Sequence, residues 1–293
     1  MRVVYTSDLH IGAGANPWRA VSLIRDRAIE LRPDVFAVVG DVSHRLHDLG
    51  KTLARLSDVP GVKIFVAGNH DIWVGSAAER QAGKLSGWRY SEAIPKICEA
   101  CDFVDLTRAP IVVGGVGFAA TMGWYDYSYR LPRLDNQFTA EDYARKIHDG
   151  KMWMDRRYAQ WMNGRSRLAD PTVAEQMIAQ LDRHLSSLRG GNPRTVVAIT
   201  HFPAFNEMMP KRLDPAWSFW RAYMGCLGLG EVIKRYPEVE FAIAGHVHRR
   251  VDTVIEHEGG EVRALLSPIG IPKDYAHTTL ERHVRDRVRL VEV

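Results

Sequence analysis

The amino-acid sequence predicts an α/β fold with a mostly parallel sheet. Short apolar runs rich in Val, Ile and Phe alternate with stretches of helical periodicity, the pattern of βαβ units. Each of the first three runs also ends at an Asp, His or Asn. Open parallel sheets bind their ligands beyond the carboxyl ends of the strands, so these residues fall where a site is expected.

The first strand, Arg2 to Ser7, is followed at once by Asp8-Leu9-His10. Gly12 and Gly14 loosen the loop, and Pro17 opens a helix to about Leu31 with Val21, Ile24, Ala28 and Leu31 on one stripe. Pro33 ends it. The second strand, Asp34 to Val39, stops at Gly40-Asp41, and a helix from about His44 to Leu56 leads to the turn Pro60-Gly61. The third strand, Lys63 to Ala67, stops at Gly68-Asn69-His70-Asp71, where Gly68 permits a sharp turn close to whatever is bound.

Residues 77 to 101 have helical periodicity, and Val104 to Leu106 and Ile111 to Ala119 read as strands. From Trp124 to about Arg189 the chain is polar, helical and rich in Trp, Met and Arg, an insertion or lid rather than a second domain. Arg194 to Thr200 is a buried strand ending in His201, followed by an irregular segment, Pro203 to Gly225. There Trp217, Trp220 and Tyr223 recur every third residue, as on a buried helical stripe. A helix from about Gly230 to Tyr236 precedes the strand Val239 to Ala244, which ends in Gly245-His246-Val247-His248. The remainder reads as a hairpin and a last strand, Arg287 to Val293. The whole, 1–293, is expected to be one domain.

Composition narrows the classes. Of 293 residues, 46% are hydrophobic and 25% charged, ordinary for a globular protein with a sizeable core. The net charge of +4 suits a phosphorylated substrate. The arginines are scattered and no block of like charge forms, which does not favour a dedicated nucleic-acid binder. No apolar run approaches the about 18 residues of a membrane span, and the N-terminus lacks a signal-peptide pattern, so a cytoplasmic location is expected. Three cysteines make no disulfide framework. Cys98-x-x-Cys101 has no second ligand pair and reads as two small buried hydrophobes.

The strand-end residues are Asp8, His10, Asp41, Asn69, His70, His201, His246 and His248. One Asp after a strand is often only a helix cap; three successive strands ending this way are harder to explain so. Carboxylates, an amide oxygen and imidazoles suit divalent Mn, Fe, Zn or Ni, and the absence of cysteine argues against a structural zinc site. The ligands are too many for one ion and about enough for two, with Asp41, on the middle strand, the natural bridge.

In order, Asp8-x-His10, Gly40-Asp41, Gly68-Asn69-His70-Asp71, His201 and Gly245-His246-x-His248 resemble the calcineurin-like metallophosphoesterase family. The resemblance implies a four-layer αββα sandwich of two mixed central sheets flanked by helices, with helical lid insertions at about 124–189 and an irregular segment at about 203–225. It also implies two divalent ions, manganese first. Asp8, His10, Asp41 and His248 would hold one, and Asp41, Asn69, His201 and His246 the other. His70, oriented by Asp71, would assist the leaving group while a hydroxide held by the dinuclear centre attacks a phosphate mono- or diester. The substrate is expected to be a phosphorylated small molecule, a nucleotide or a phosphoprotein.

One departure stands out. His44 follows Gly40-Asp41, as in the double-strand-break repair nucleases of the superfamily, which keeps a DNA exo- or endonuclease as an alternative. His44 is otherwise a residue orienting a ligand, or a surface histidine. A metal-binding scaffold without catalysis is the other alternative. Trp124, Tyr125, Tyr127 and Arg130 sit where substrate contacts are expected, to stack on a base and hold a phosphate. A packed lid with a solvent-facing Arg130 is the reading preferred for them.

Overall fold

The computed structural model describes residues 1–13, 17–134, 136–212 and 214–293. The expectation for Gly14 lies outside them. Two large mixed sheets, flanked by helices, form the molecule. In the first, strands Arg2–Thr6, Val35–Val39, Val62–Val66 and Val104–Asp105 run parallel in that order. Arg289–Glu292 closes its edge antiparallel to Arg2–Thr6. In the second, Val116–Thr121, Thr195–Thr200, Val239–Ala244 and Gly260–Leu266 are parallel neighbours. Antiparallel strands Ile111–Val113 and Val251–His257 border them.

Alternation within the strands builds two cores. Val3, Tyr5, Val35, Ala37 and Ile64 of the first sheet meet Phe118, Ala120, Val197, Ile199 and Ile243 of the second in one buried cluster between the sheets. The intervening residues, such as Val4, Phe36, Val38 and Ala198, turn outward under the helices. A strand buried on both faces has no polar alternation, which is why these segments read as continuous apolar runs. Helix Pro17–Glu30 places Val21, Ile24 and Ala28 inward, and Leu46–Leu56 places Leu49, Leu53 and Leu56 inward.

Three segments differ from expectation. Ile111 to Ala119 is not one strand: Ile111–Val113 and Val116–Thr121 pair antiparallel about a turn at Gly114 and Gly115, both with positive φ. The stretch to Arg189 is not mainly helical. It contains two short hairpins, Ile147–His148 with Lys151–Met152 and Met162–Asn163 with Ser166–Arg167, before the helix Asp170–Arg189. These strands of two residues leave no periodicity to read. The C-terminal segment contains a further helix, Leu280–Arg287, which packs on Pro17–Glu30 and buries Val284 and His283. Its high charge concealed the narrow apolar stripe. Cys98 is buried and Cys101 half-buried, both free thiols. No helix among the described residues is long and apolar enough to cross a membrane.

Candidate metal centre

The strand ends of both sheets converge at one edge. Backbone hydrogen bonds stitch the loops together: Asp8 N to Gly40 O at 2.9 Å, His10 N to Asp41 O at 2.9 Å, and Gly245 N to His201 O at 3.0 Å. Asp8, His10, Asp41 and His246 all have positive φ, between 44° and 67°. Non-glycine residues seldom adopt that conformation, and such residues concentrate at functional sites. The glycines between them are forced by crowding. A Cβ on Gly40 (φ +77°) would lie 2.5 Å from His201 Nδ1 and 2.7 Å from Gly68 N.

Asp41 is central and faces two ways. Its Oδ1 lies 3.4 Å from His201 Nε2, and its Oδ2 lies 3.9 Å from His10 Nε2. On one side, ligand atoms of Asp8, His10 and His248 lie within 4.8 Å of one another; on the other, those of Asp41, His201 and His246 do. His10 Nε2 and His248 Nε2 stand 2.9 Å apart, with Asp8 Oδ1 at 3.6 Å from the latter. Asn69 Oδ1 is 3.2 Å from His201 Nε2.

The imidazoles are held by their other nitrogens. His201 Nδ1 donates to Val39 O at 3.0 Å, His248 Nδ1 to Asp274 Oδ2 at 2.8 Å, and His246 Nε2 to Tyr223 O at 3.2 Å. Fixing one ring nitrogen leaves the other as a ligand atom, the usual arrangement around a metal. Burial alone would raise Asp8 and Asp41, yet the surrounding imidazoles hold both carboxyls below their usual range. Burial opposes charge on His201 as well, but the Asp41 carboxylate outweighs it and pushes the ring up to about 9. The donor types fit divalent cations: ionised carboxylates, an amide oxygen and imidazole nitrogens converge, and a bound cation would take the place of the ring protons that the carboxylates favour.

His70 sits at the rim, its side chain 29% exposed and its Nε2 3.8 Å from Asp41 Oδ2. Its ring stacks on Trp73, with centroids 3.6 Å apart. Asp71 does not orient it, contrary to expectation. Both Asp71 oxygens are taken by backbone amides: Oδ2 accepts from Asp41 and Gly68 at 2.8 Å each, and Oδ1 from Val42 and Ser43 at 2.9 Å each. Asp71 shapes the loop that presents Asp41.

The aromatic run is core, not substrate contact. Trp124 and Tyr125 are fully buried and Tyr127 nearly so. Trp124 Nε1, the Tyr127 hydroxyl and Lys146 Nζ all donate to Asp170, at the start of the helix Asp170–Arg189. These rings pack with Phe202 and Tyr223, so nothing remains of them to stack on a ligand. Arg130 is exposed and is not among the residues that line the cavity. His44 does line the cavity, while its carbonyl accepts from Arg89 at 2.8 Å. Of the three-residue stripe, Tyr223 is buried and Trp217 lines the cavity.

The cavity over the ligands has a volume of about 780 Å³. Trp73, Trp153, Met152, Met154 and Met224 form an apolar wall, and Arg212, Arg249 and Lys273 stand along its lining. Sequence reasoning missed two residues that support the ligands, Asp274 behind His248 and Asp155, which accepts from Asn69 Nδ2 at 2.9 Å.

A sequence profile described as calcineurin-like phosphoesterase matches residues 1–250. No curated protein matches by sequence. Among solved structures, the phosphopantetheinyl hydrolase of Mycobacterium tuberculosis superposes with a TM-score of 0.74 at 20% identity, covering 99% of this chain and 95% of its own. The protein TT1561 of Thermus thermophilus superposes with a TM-score of 0.52 at 11% identity, covering 99% and 96%. At these identities the likeness is one of fold.

Proposed function

The chain belongs to the calcineurin-like phosphoesterase family, and we propose that it hydrolyses phosphoesters of small molecules with two divalent metal ions. The observation that carries this reading is the double face of Asp41, with one oxygen toward His201 and the other toward His10. Asp8, His10, Asp41 and His248 would hold one ion, and Asp41, Asn69, His201 and His246 the other. When bound, the ions supply a water acidic enough to yield a nucleophile near neutral pH and positive charge against the phosphoryl oxygens. Manganese is the metal to test first, with iron, zinc and nickel compatible with the same donors.

His70 borders the centre beside Asp41, on a ring wall formed by Trp73. Displacement at phosphorus requires a proton for the departing oxygen opposite the entering one. In this reading His70, whose ring burial pushes down to about 3 and so keeps neutral, donates an N–H hydrogen bond to that oxygen as charge builds on it. Asp71 contributes by holding the Asp41 loop and not by touching the substrate.

The cavity far exceeds the size of a phosphate, and its apolar wall lies beside basic residues. That combination suits a phosphoester with an extended organic arm. The reading rests on this cavity; a neighbour that shares the fold at 20% identity is named a phosphopantetheinyl hydrolase.

The test is metal content by mass spectrometry beside Mn-dependent hydrolysis of the mono and bis p-nitrophenyl phosphates. About two metals per chain with turnover is the expected result, and the preferred ester separates phosphatase from diesterase. A chain that takes up no metal after reconstitution would overturn the reading.

A further inference from the structure

Asp155 lies in the short helix Asp155–Tyr158 of the insertion, with its side chain fully buried. Three side-chain donors converge on it. Its Oδ1 accepts from Asn69 Nδ2 at 2.9 Å and from Trp73 Nε1 at 2.6 Å; its Oδ2 accepts from Trp153 Nε1 at 2.8 Å. Only an acceptor-only group takes three donors, and a carboxylate is the side chain that offers nothing else. An asparagine of the same shape would set its NH₂ against one of these N–H groups.

The consequence falls on Asn69. A side-chain amide has a donor end and an acceptor end. Anchoring the NH₂ on Asp155 turns Oδ1 the other way, to 3.2 Å from His201 Nε2, on the side where Asp41, His201 and His246 converge. The same carboxylate holds the indole of Trp73, on which His70 stacks.

We propose that Asp155 is a positioning residue through which the insertion fixes the metal-facing oxygen of Asn69 and the ring wall behind His70. This rests on the assignment of Asn69 as a ligand under the proposed function. The insertion is thereby part of the centre's construction and not only a cover over it.

The experiment titrates the metal-free full chain with Mn²⁺ alone by calorimetry, for wild type, Asp155→Asn, Asn69→Ala and the double variant. Wild type is expected to take two ions. Asp155→Asn is expected to keep one at wild-type affinity and to bind the other on the order of 10–100-fold more weakly. The double variant should lose no more than Asn69→Ala does. A merely structural residue would lower the melting temperature without separating the two ions. Two ions bound by Asp155→Asn at wild-type affinity, or both weakened equally, would overturn the inference. A wild type that takes no ion would instead remove the assignment of Asn69, and the inference with it.

Selective ¹⁵N-asparagine labelling of the wild type serves should Asp155→Asn fail to fold. The Asn69 amide protons, identified by their loss in Asn69→Ala, are expected to exchange slowly in the metal-free chain. Exchange at the rate of an exposed asparagine would also overturn the proposal.

Discussion

Asp71 holds Asp41 by its backbone: Asp71 Oδ2 accepts the Asp41 amide at 2.8 Å, while Asp41 Oδ1 accepts the His70 amide at 2.8 Å. The two carboxylates thus lock two strand-end loops to each other, one after Val35–Val39 and one after Val62–Val66. Burial and the neighbouring Asp41 carboxylate push the Asp71 carboxyl up to about 7, against the amides that favour its charged form. Replacing Asp71 by Ala strands four buried amide donors. At about 1–3 kcal/mol for each unsatisfied buried group, the expected loss is at least about 4 kcal/mol of folding stability. Thermal unfolding with metal analysis checks this: melting temperature and bound metal should fall together.

His70→Gln separates from that result. His70 lies at the rim and ties down no loop through its ring, so the variant should keep its melting temperature and both metals. Turnover should fall on the order of 10²–10⁴-fold if the ring serves the departing oxygen. Steady-state kinetics on an alkyl phosphate ester, whose departing alkoxide needs the proton, normalised to bound metal, decides it. Metal loss with full activity per remaining metal would sink this role.

Asp274 is the counterpart of Asp155 on the other side of the centre. Its Oδ2 accepts His248 Nδ1 and the Ile271 amide, each at 2.8 Å. Asp274→Ala frees the ring to rotate or change tautomer. The ion beside Asp8 and His10 should then bind about 10–100-fold more weakly, with the other unchanged. Competition against a chelator of known affinity measures it, and uniform weakening of both ions would contradict it.

Gly40→Ala tests the crowding of the site. The residue has φ +77°, and its new Cβ would press on His201 Nδ1 and on the Gly68 backbone. Neither can retreat without moving a ligand. We expect a destabilisation of at least about 2 kcal/mol in denaturant unfolding, together with reduced metal uptake. A Gly40→Ala chain as stable as wild type would show that the loops yield more easily than this packing implies.

The gathering of the candidate ligands at one edge was legible because its signal is local. Each ligand follows a short apolar strand within a few residues, and glycines such as Gly40 and Gly68 mark the tight turns beside them. The doubly buried strands announced the sheets in the same way. Asp155 and Asp274 were not legible, because each acts on a residue far along the chain, 86 positions away at Asn69 and 26 at His248. No spacing rule reaches that far. For the aromatic run 124–127 the sequence supported only a preference for packing, which the structure bears out: Trp and Tyr serve packing and binding equally, and the placement of Asp170, Phe202 and Tyr223 around it decides for packing. The two hairpins between 147 and 167 are too short to carry a period, so the composition there suggested helix where the chain turns back on itself.

The candidate ligands do not come from one sheet. Asp8, His10, Asp41 and Asn69 follow strands of the first, whereas His201, His246 and His248 follow strands of the second. Ions held among them would act as rivets through the edge of the sandwich, joining layers that elsewhere adhere mainly by apolar contact. Chelation would then do more than silence the chemistry: it would unfasten one end of the molecule. The amides of the strand-end loops would exchange with solvent sooner than those at the opposite edge, giving the protein a stability that depends on its metal supply.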